Sequence, residues 1–194
     1  MGNEHGKKSS SSGSIELTPQ RIALLKVNTK YSDQEIRDWH AGFLRDCPNG
    51  KLDKKQFTAV YKQFYPTGKA DNFCKYAFDT FDANGDGSID FDEFLLAISA
   101  TSHGDIDDRL AVAFDMYDIS DDGQVDLKEL TKLISAMYDL TGETDRKGDH
   151  DPKHRAAEII KKVDASGDKK LSKHEFIAAC KNDPHIRKML APNV

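Results

Sequence analysis

The sequence predicts an all-α fold of four helix–loop–helix units in two paired lobes, each pair joined by a short two-stranded β-ribbon and the whole preceded by an extra N-terminal helix. Three observations predict it. The pattern Phe-Asp-x-Asn-x-Asp-Gly-x-Ile-Asp-x-x-Glu occupies residues 81–93, and weaker copies lie on both sides. Anchored on the apolar residues Leu52, Ile89, Val125 and Leu171, twelve-residue loops begin at 45, 82, 118 and 164, at spacings of 37, 36 and 46. Apolar residues at helical spacing flank the loops.

From the N-terminus, residues 1–17 form a polar arm, rich in lysine, serine and glycine over 7–14. Thr18-Pro19 has the form of a helix cap followed by proline in the first turn, so an extra helix starts there with Ile22 and Leu25 inward. Ser32 and Glu35 have the spacing of a capping box, in which hydroxyl and carboxylate each satisfy an orphan amide. Ile36, Trp39 and Phe43 lead into the first loop, Leu110, Phe114 and Tyr117 into the third, and Ile159, Ile160 and Val163 into the fourth. Leu52 is expected to pair with Ile89, and Val125 with Leu171, across the two ribbons. The longer last interval places a polar linker over 141–152. The lobes therefore span 18–100 and 101–194, the second including a C-terminal tail.

Composition narrows the function. With 28 Lys and Arg against 33 Asp and Glu, the formal charge is −5 and the acidic residues are bunched, which disfavours nucleic acid and favours cations. No apolar run approaches the roughly 20 residues of a membrane span. No apolar stretch follows Lys7 and Lys8, so the start is not a secretory signal, and a cytoplasmic location is expected. Cys47, Cys74 and Cys180 are widely spaced and read as free thiols. The seven histidines form no catalytic constellation, and the chain is not expected to be an enzyme.

The loops carry the chemistry. Calcium is a hard cation taking roughly six to eight oxygens, which an EF-hand loop supplies from positions 1, 3, 5, 7, 9 and 12 around a glycine at 6. The second loop offers Asp82, Asn84, Asp86, the Ser88 carbonyl, Asp90 and Glu93, with Gly87 at the turn. In the third loop Asp118, Ser120, Asp122, the Gln124 carbonyl, Asp126 and Glu129 surround Gly123. The fourth presents Asp164, Ser166, Asp168, the Lys170 carbonyl, Ser172 and Glu175, but Lys169 replaces the turn glycine and one carboxylate is missing, so it is expected to bind more weakly. Arg45, Cys47 and Gln56 occupy ligand positions of the first loop, which is expected not to bind calcium. Two or three Ca2+ per chain follow.

On these residues the chain resembles the neuronal calcium sensor family, which includes recoverin, frequenin and neurocalcin. The likeness is carried by Arg45-Asp46-Cys47-Pro48-Asn49-Gly50 in the disabled hand, by Tyr61-Lys62-Gln63-Phe64-Tyr65-Pro66, by residues 81–94 and by Gly2. It implies N-myristoylation at Gly2 and a switch in which calcium exposes the fatty chain and an apolar groove that engage membranes and target proteins. Gly6 stands where the lipidation pattern has serine or threonine.

Of 17 aromatic residues, 13 lie between Tyr31 and Phe94, more than a two-hand lobe needs for its core. Trp39, Phe43, Phe57, Val60, Tyr61, Phe64 and Tyr65 are therefore expected to line a groove for an amphipathic target helix. A cytosolic calcium buffer, whose hands barely open, and a constitutively attached regulatory subunit are the alternatives.

Overall fold

The computed structural model describes residues 15–66 and 68–191, so the expectations for Gly2, Lys7 and Lys8 lie outside the described residues. Helix α1 (Pro19–Asn28) starts at a Thr18 cap, and Ile22 and Leu25 are its buried face. Helix α2 (Asp33–Asp46) carries the capping box of Ser32 and Glu35. Strand β1 (Lys51–Asp53) leads into α3 (Lys54–Phe64), followed by α4 (Asp71–Phe81), β2 (Ser88–Asp90) and α5 (Phe91–His103). The second half repeats the order with α6 (Ile106–Tyr117), β3 (Gln124–Val125), α7 (Leu127–Thr141), α8 (Pro152–Val163), β4 (Leu171–Ser172) and α9 (Lys173–Asn182). No described helix is long and apolar enough to cross a membrane.

The two ribbons have the expected register, with Leu52 opposite Ile89 and Val125 opposite Leu171. Each pairs the apolar position 8 of two neighbouring loops, and in the N-terminal half the buried residues form two clusters, one around Ile36, Phe43 and Leu95 and one around Phe57, Phe78 and Ile89 with Leu140 of α7. In the C-terminal half Leu110, Phe114, Tyr117, Ile159, Ile160 and Val163 enter one continuous core with Val125 and Leu171. In the N-terminal half Ile36 and Phe43 are buried, but Trp39 keeps 38% of its surface exposed and opens onto a groove instead of the core. Helix α1 is clamped to α5 by Arg21, whose Nε lies 2.7 Å from Asp92 Oδ1 while its guanidinium sits over the Phe91 ring.

Two features go beyond the sequence pattern. Helix α5 runs through the expected division after Ala100 and ends at Gly104. The C-terminal tail contains a further helix, α10 (Pro184–Leu190), where the Asp183 carboxylate accepts the Ile186 amide. Ile186 and Leu190 are buried in the second core, and the Tyr117 hydroxyl donates to the Leu190 carbonyl at 2.9 Å.

Candidate functional site

Each of the last three loops is built between the end of one helix and the start of the next. The first ligand position, Asp82, Asp118 or Asp164, is the C-cap of the entering helix. A carboxylate there faces the negative end of the helix dipole, an arrangement that a bound cation relieves. Position 9, Asp90, Asp126 or Ser172, is the N-cap of the exiting helix and forms a capping box with Glu93, Glu129 or Glu175 at position 12. One residue pair therefore starts the helix and offers oxygen to the loop.

Backbone amides hold the carboxylates in place. Asp82 accepts from the amides of Asp86 and Gly87 at 3.1 and 2.8 Å, and Asp118 accepts from Asp122 and Gly123 at the same distances. Glu93 bridges the loop, taking the Asn84 amide on one oxygen and the Asp90 amide on the other, both at 3.0 Å. Glu129 bridges Ser120 and Asp126 likewise at 2.8 and 3.0 Å. A carboxylate has about four acceptor sites, so these bonds orient the oxygens without exhausting them.

The turn glycines Gly87 and Gly123 adopt φ of 83° and 81°. Lys169 is held at φ 66° in the same left-handed region, which a side chain disfavours. Among the described residues no three or more His, Cys, Asp or Glu side chains converge as a metal cage by themselves. Each loop instead mixes carboxylates with a main-chain oxygen and either a side-chain amide or hydroxyl oxygens, an all-oxygen set that suits calcium.

Burial and hydrogen bonding act on the loop carboxylates in opposite senses, and Ser88 and Lys51 hold Asp86 of the second loop below its usual value. Burial pushes the Glu93 and Asp118 carboxyls above their usual range. In the fourth loop the Ser172 amide, outweighing burial, holds Glu175 down at about 2. Burial opposes ionisation of Asp164 too, but the amides of Lys169 and Gly167 and the Ser166 hydroxyl keep it below its usual value.

The first loop differs in backbone as well as in ligands. Helix α2 continues through Arg45 and Asp46 and is capped by Cys47, so the helix occupies loop positions 1 and 2. The capping box nevertheless survives as Asp53 and Gln56.

Beside the first ribbon lies an open groove of about 620 Å³. Trp39, Phe43, Phe57, Val60 and Tyr61 line it, joined by Leu52, Phe81, Ile89, Phe94 and Ile98. Tyr65 caps α3 and is not part of this lining, and the side chain of Phe64 lies outside what is described. The wall residues from the second hand were not legible from the spacing along α2 and α3 alone. Glu35, Asp38 and Asp46 add negative charge to the lining, with Arg45 among them.

The chain matches a family model described as an EF-hand domain pair over residues 107–181 and one described as an EF hand domain over 73–101. It is similar to neuronal calcium sensor 1 of Aplysia californica, with 44% identity over 88% of this chain and 91% of that protein. It shares 40% with neuronal calcium sensor 1 of Lymnaea stagnalis over the same shares of each chain. Similarity to human recoverin is 30%, over 90% of this chain and 89% of recoverin.

Proposed function

The chain belongs to the neuronal calcium sensor family and so binds calcium as a sensor acting on target proteins, and from that premise we propose how binding is read out. Calcium occupies the second loop through Asp82, Asn84, Asp86, Ser88, Asp90 and Glu93, and the third through Asp118, Ser120, Asp122, Gln124, Asp126 and Glu129. Asp164, Ser166, Asp168, Lys170, Ser172 and Glu175 bind a third ion more weakly, and the first loop binds none. Burial raises the Glu93 and Asp118 carboxyls, and a cation there would offset that cost.

One observation carries the readout: groove and second loop share a segment. Ile89 stands between Ser88 and Asp90, and Phe94 directly follows Glu93, yet both side chains line the groove. An ion that draws Glu93 inward must move Phe94, and α5 behind it. In this reading residues 18–100 and 101–194 act as two lobes, and the first presents its groove to an amphipathic target helix. Glu35, Asp38 and Asp46 favour a target with basic residues flanking its apolar face. A myristoyl group on Gly2 shares the same calcium-controlled exposure and brings the protein to membranes.

Trp39 reports on the groove, because its ring lies 5.8 Å from that of Phe94. Calcium should shift Trp39 emission and raise the fluorescence of a dye for apolar surface, and Glu93→Gln should suppress both. A protein silent to calcium in both assays would be a buffer.

A further inference from the structure

Two lysines occupy equivalent places in the two loop pairs. Lys51, at position 7 of the disabled first loop, reaches across the ribbon to Asp86 at position 5 of the second, with Nζ 3.1 Å from Oδ2 and 3.0 Å from Ser88 Oγ. Lys170, at position 7 of the fourth loop, makes the same reach to Asp122 at position 5 of the third, at 3.4 Å. The traffic is one-way: position 7 of the second and third loops is Ser88 and Gln124, neither of them charged. In each pair the loop with the poorer ligand set sends an ammonium to the loop with the fuller one.

The geometry divides the labour of each aspartate. Asp86 turns Oδ1 towards the Ser88 amide and hydroxyl at 2.9 and 2.6 Å and leaves Oδ2 to Lys51. Asp122 gives Oδ1 to the Gln124 amide at 2.9 Å and Oδ2 to Lys170. A position-5 ligand needs only one oxygen for calcium, so the ammonium can stay on the other whether or not the ion is present. Its effects then run in one direction. In the empty loop it offsets the mutual repulsion of Asp82, Asp86, Asp90 and Glu93, and in the filled loop it repels the ion.

We propose that Lys51 and Lys170 are tethered counter-cations that lower and set the calcium affinity of the second and third loops, so that the disabled first hand serves as an affinity-setting partner. The inference rests on the reading of those two loops as calcium sites. A unit charge roughly 6 Å from a divalent ion in water changes affinity by about tenfold with little salt and by about threefold once screened at physiological salt.

Calcium titration of the full chain by calorimetry, at low and at high monovalent salt, tests it. Glu93→Gln and Glu129→Gln first identify the second and third sites by removing them. Lys51→Gln should then raise affinity at the second site alone by about tenfold at low salt, with a smaller gain at high salt. Lys170→Gln should raise affinity at the third site by a similar factor and, because Lys170 is also position 7 of the fourth loop, at the fourth site as well. Lys51→Arg should keep wild-type affinity, as should Lys54→Gln, whose ammonium pairs with Asp79 outside any loop. Unchanged or weaker binding in Lys51→Gln, with Glu93→Gln still removing a site, overturns the inference and leaves the site assignment standing. A gain equal at both salt concentrations also overturns it, because the effect would not be electrostatic. Should Glu93→Gln remove no site, the assignment fails and the inference with it.

Discussion

Gly68 is pressed against the carbonyl of Leu140, so that a methyl group at its Cα would overlap that oxygen. The contact joins the loop after α3 to the end of α7. It is reinforced by the Lys69 amide, which donates to the Asp139 carbonyl at 2.7 Å, and Asp139 also receives Arg146 at 2.8 Å. Because the obstruction is backbone and cannot rotate away, Gly68→Ala should cost about 1–3 kcal/mol, as overpacking does elsewhere. Chemical denaturation measures it. Unaltered stability would mean that the two segments separate freely.

The register of both ribbons was legible because position 8 of every loop is apolar, and Leu52 and Ile89 have no other partners at that spacing. Helix α10 escaped because seven residues are too few to display a period, although Asp183-Pro184 is a usable start signal. The Asp53–Gln56 capping box is equally readable, yet position 12 of the first loop draws attention only as the place where an EF-hand has its carboxylate. Tyr65 shares a face with the groove residues only on a helix that continues past it, but α3 ends at Phe64 and helical spacing has no meaning beyond that point. The reach of Lys51 to Asp86 depends on strand register and rotamer together, which no spacing rule encodes.

Gln56 has a structural part at position 12 of the first loop. It forms a reciprocal cap with Asp53, the Gln56 amide donating at 2.8 Å and its side chain accepting the Asp53 amide at 3.1 Å. Gln56→Ala should therefore lower stability by less than about 1 kcal/mol, because the Asp53 carboxylate still caps the residue-56 amide, and change no calcium stoichiometry. By contrast Glu93→Gln should abolish one site. Calorimetry and thermal melting on both variants separate helix start from ligand.

The strained turn at Lys169 bears on the fourth loop alone. Its φ of 66° is the conformation that glycine supplies at Gly87 and Gly123. Lys169→Gly should release about 1 kcal/mol of strain, worth up to roughly a fivefold gain in calcium affinity at that site to the extent that the filled loop bears more of it than the empty one. The sign depends on the filled loop keeping this turn. Equal affinity in the variant would show that the empty and the filled loop hold the turn alike, and lower affinity that the turn's strain is not what weakens the site.

All three thiols are sheltered. Cys47, Cys74 and Cys180 are buried, and burial raises each thiol above its ordinary range, Cys180 to about 11. Because the thiolate is the nucleophile, alkylation at neutral pH should be slow in the folded chain and fast after unfolding. Rapid modification of native Cys47 would instead mark it as an accessible redox site.

Membrane attachment through Gly2 should respond to calcium. A single myristoyl chain binds bilayers only marginally, with an association constant of about 10⁴ M⁻¹, so a modest change in its exposure is enough to change location. Calcium can supply that change if the groove that shelters the chain moves with Glu93 and Phe94. Charge acts in the same direction. Three bound ions would add six positive charges to a formal −5, giving +1, while Lys7 and Lys8 each contribute roughly 1 kcal/mol at an anionic surface. Repulsion from anionic lipid therefore falls as calcium rises, and high salt should weaken this second effect without touching the first. Sedimentation of the lipidated protein with vesicles, in calcium and in chelator, tests the switch. Binding should rise with calcium, and Gly2→Ala should remove it in both conditions. Equal binding with and without calcium would instead mean that the fatty chain is always exposed and that calcium controls only the engagement of target proteins.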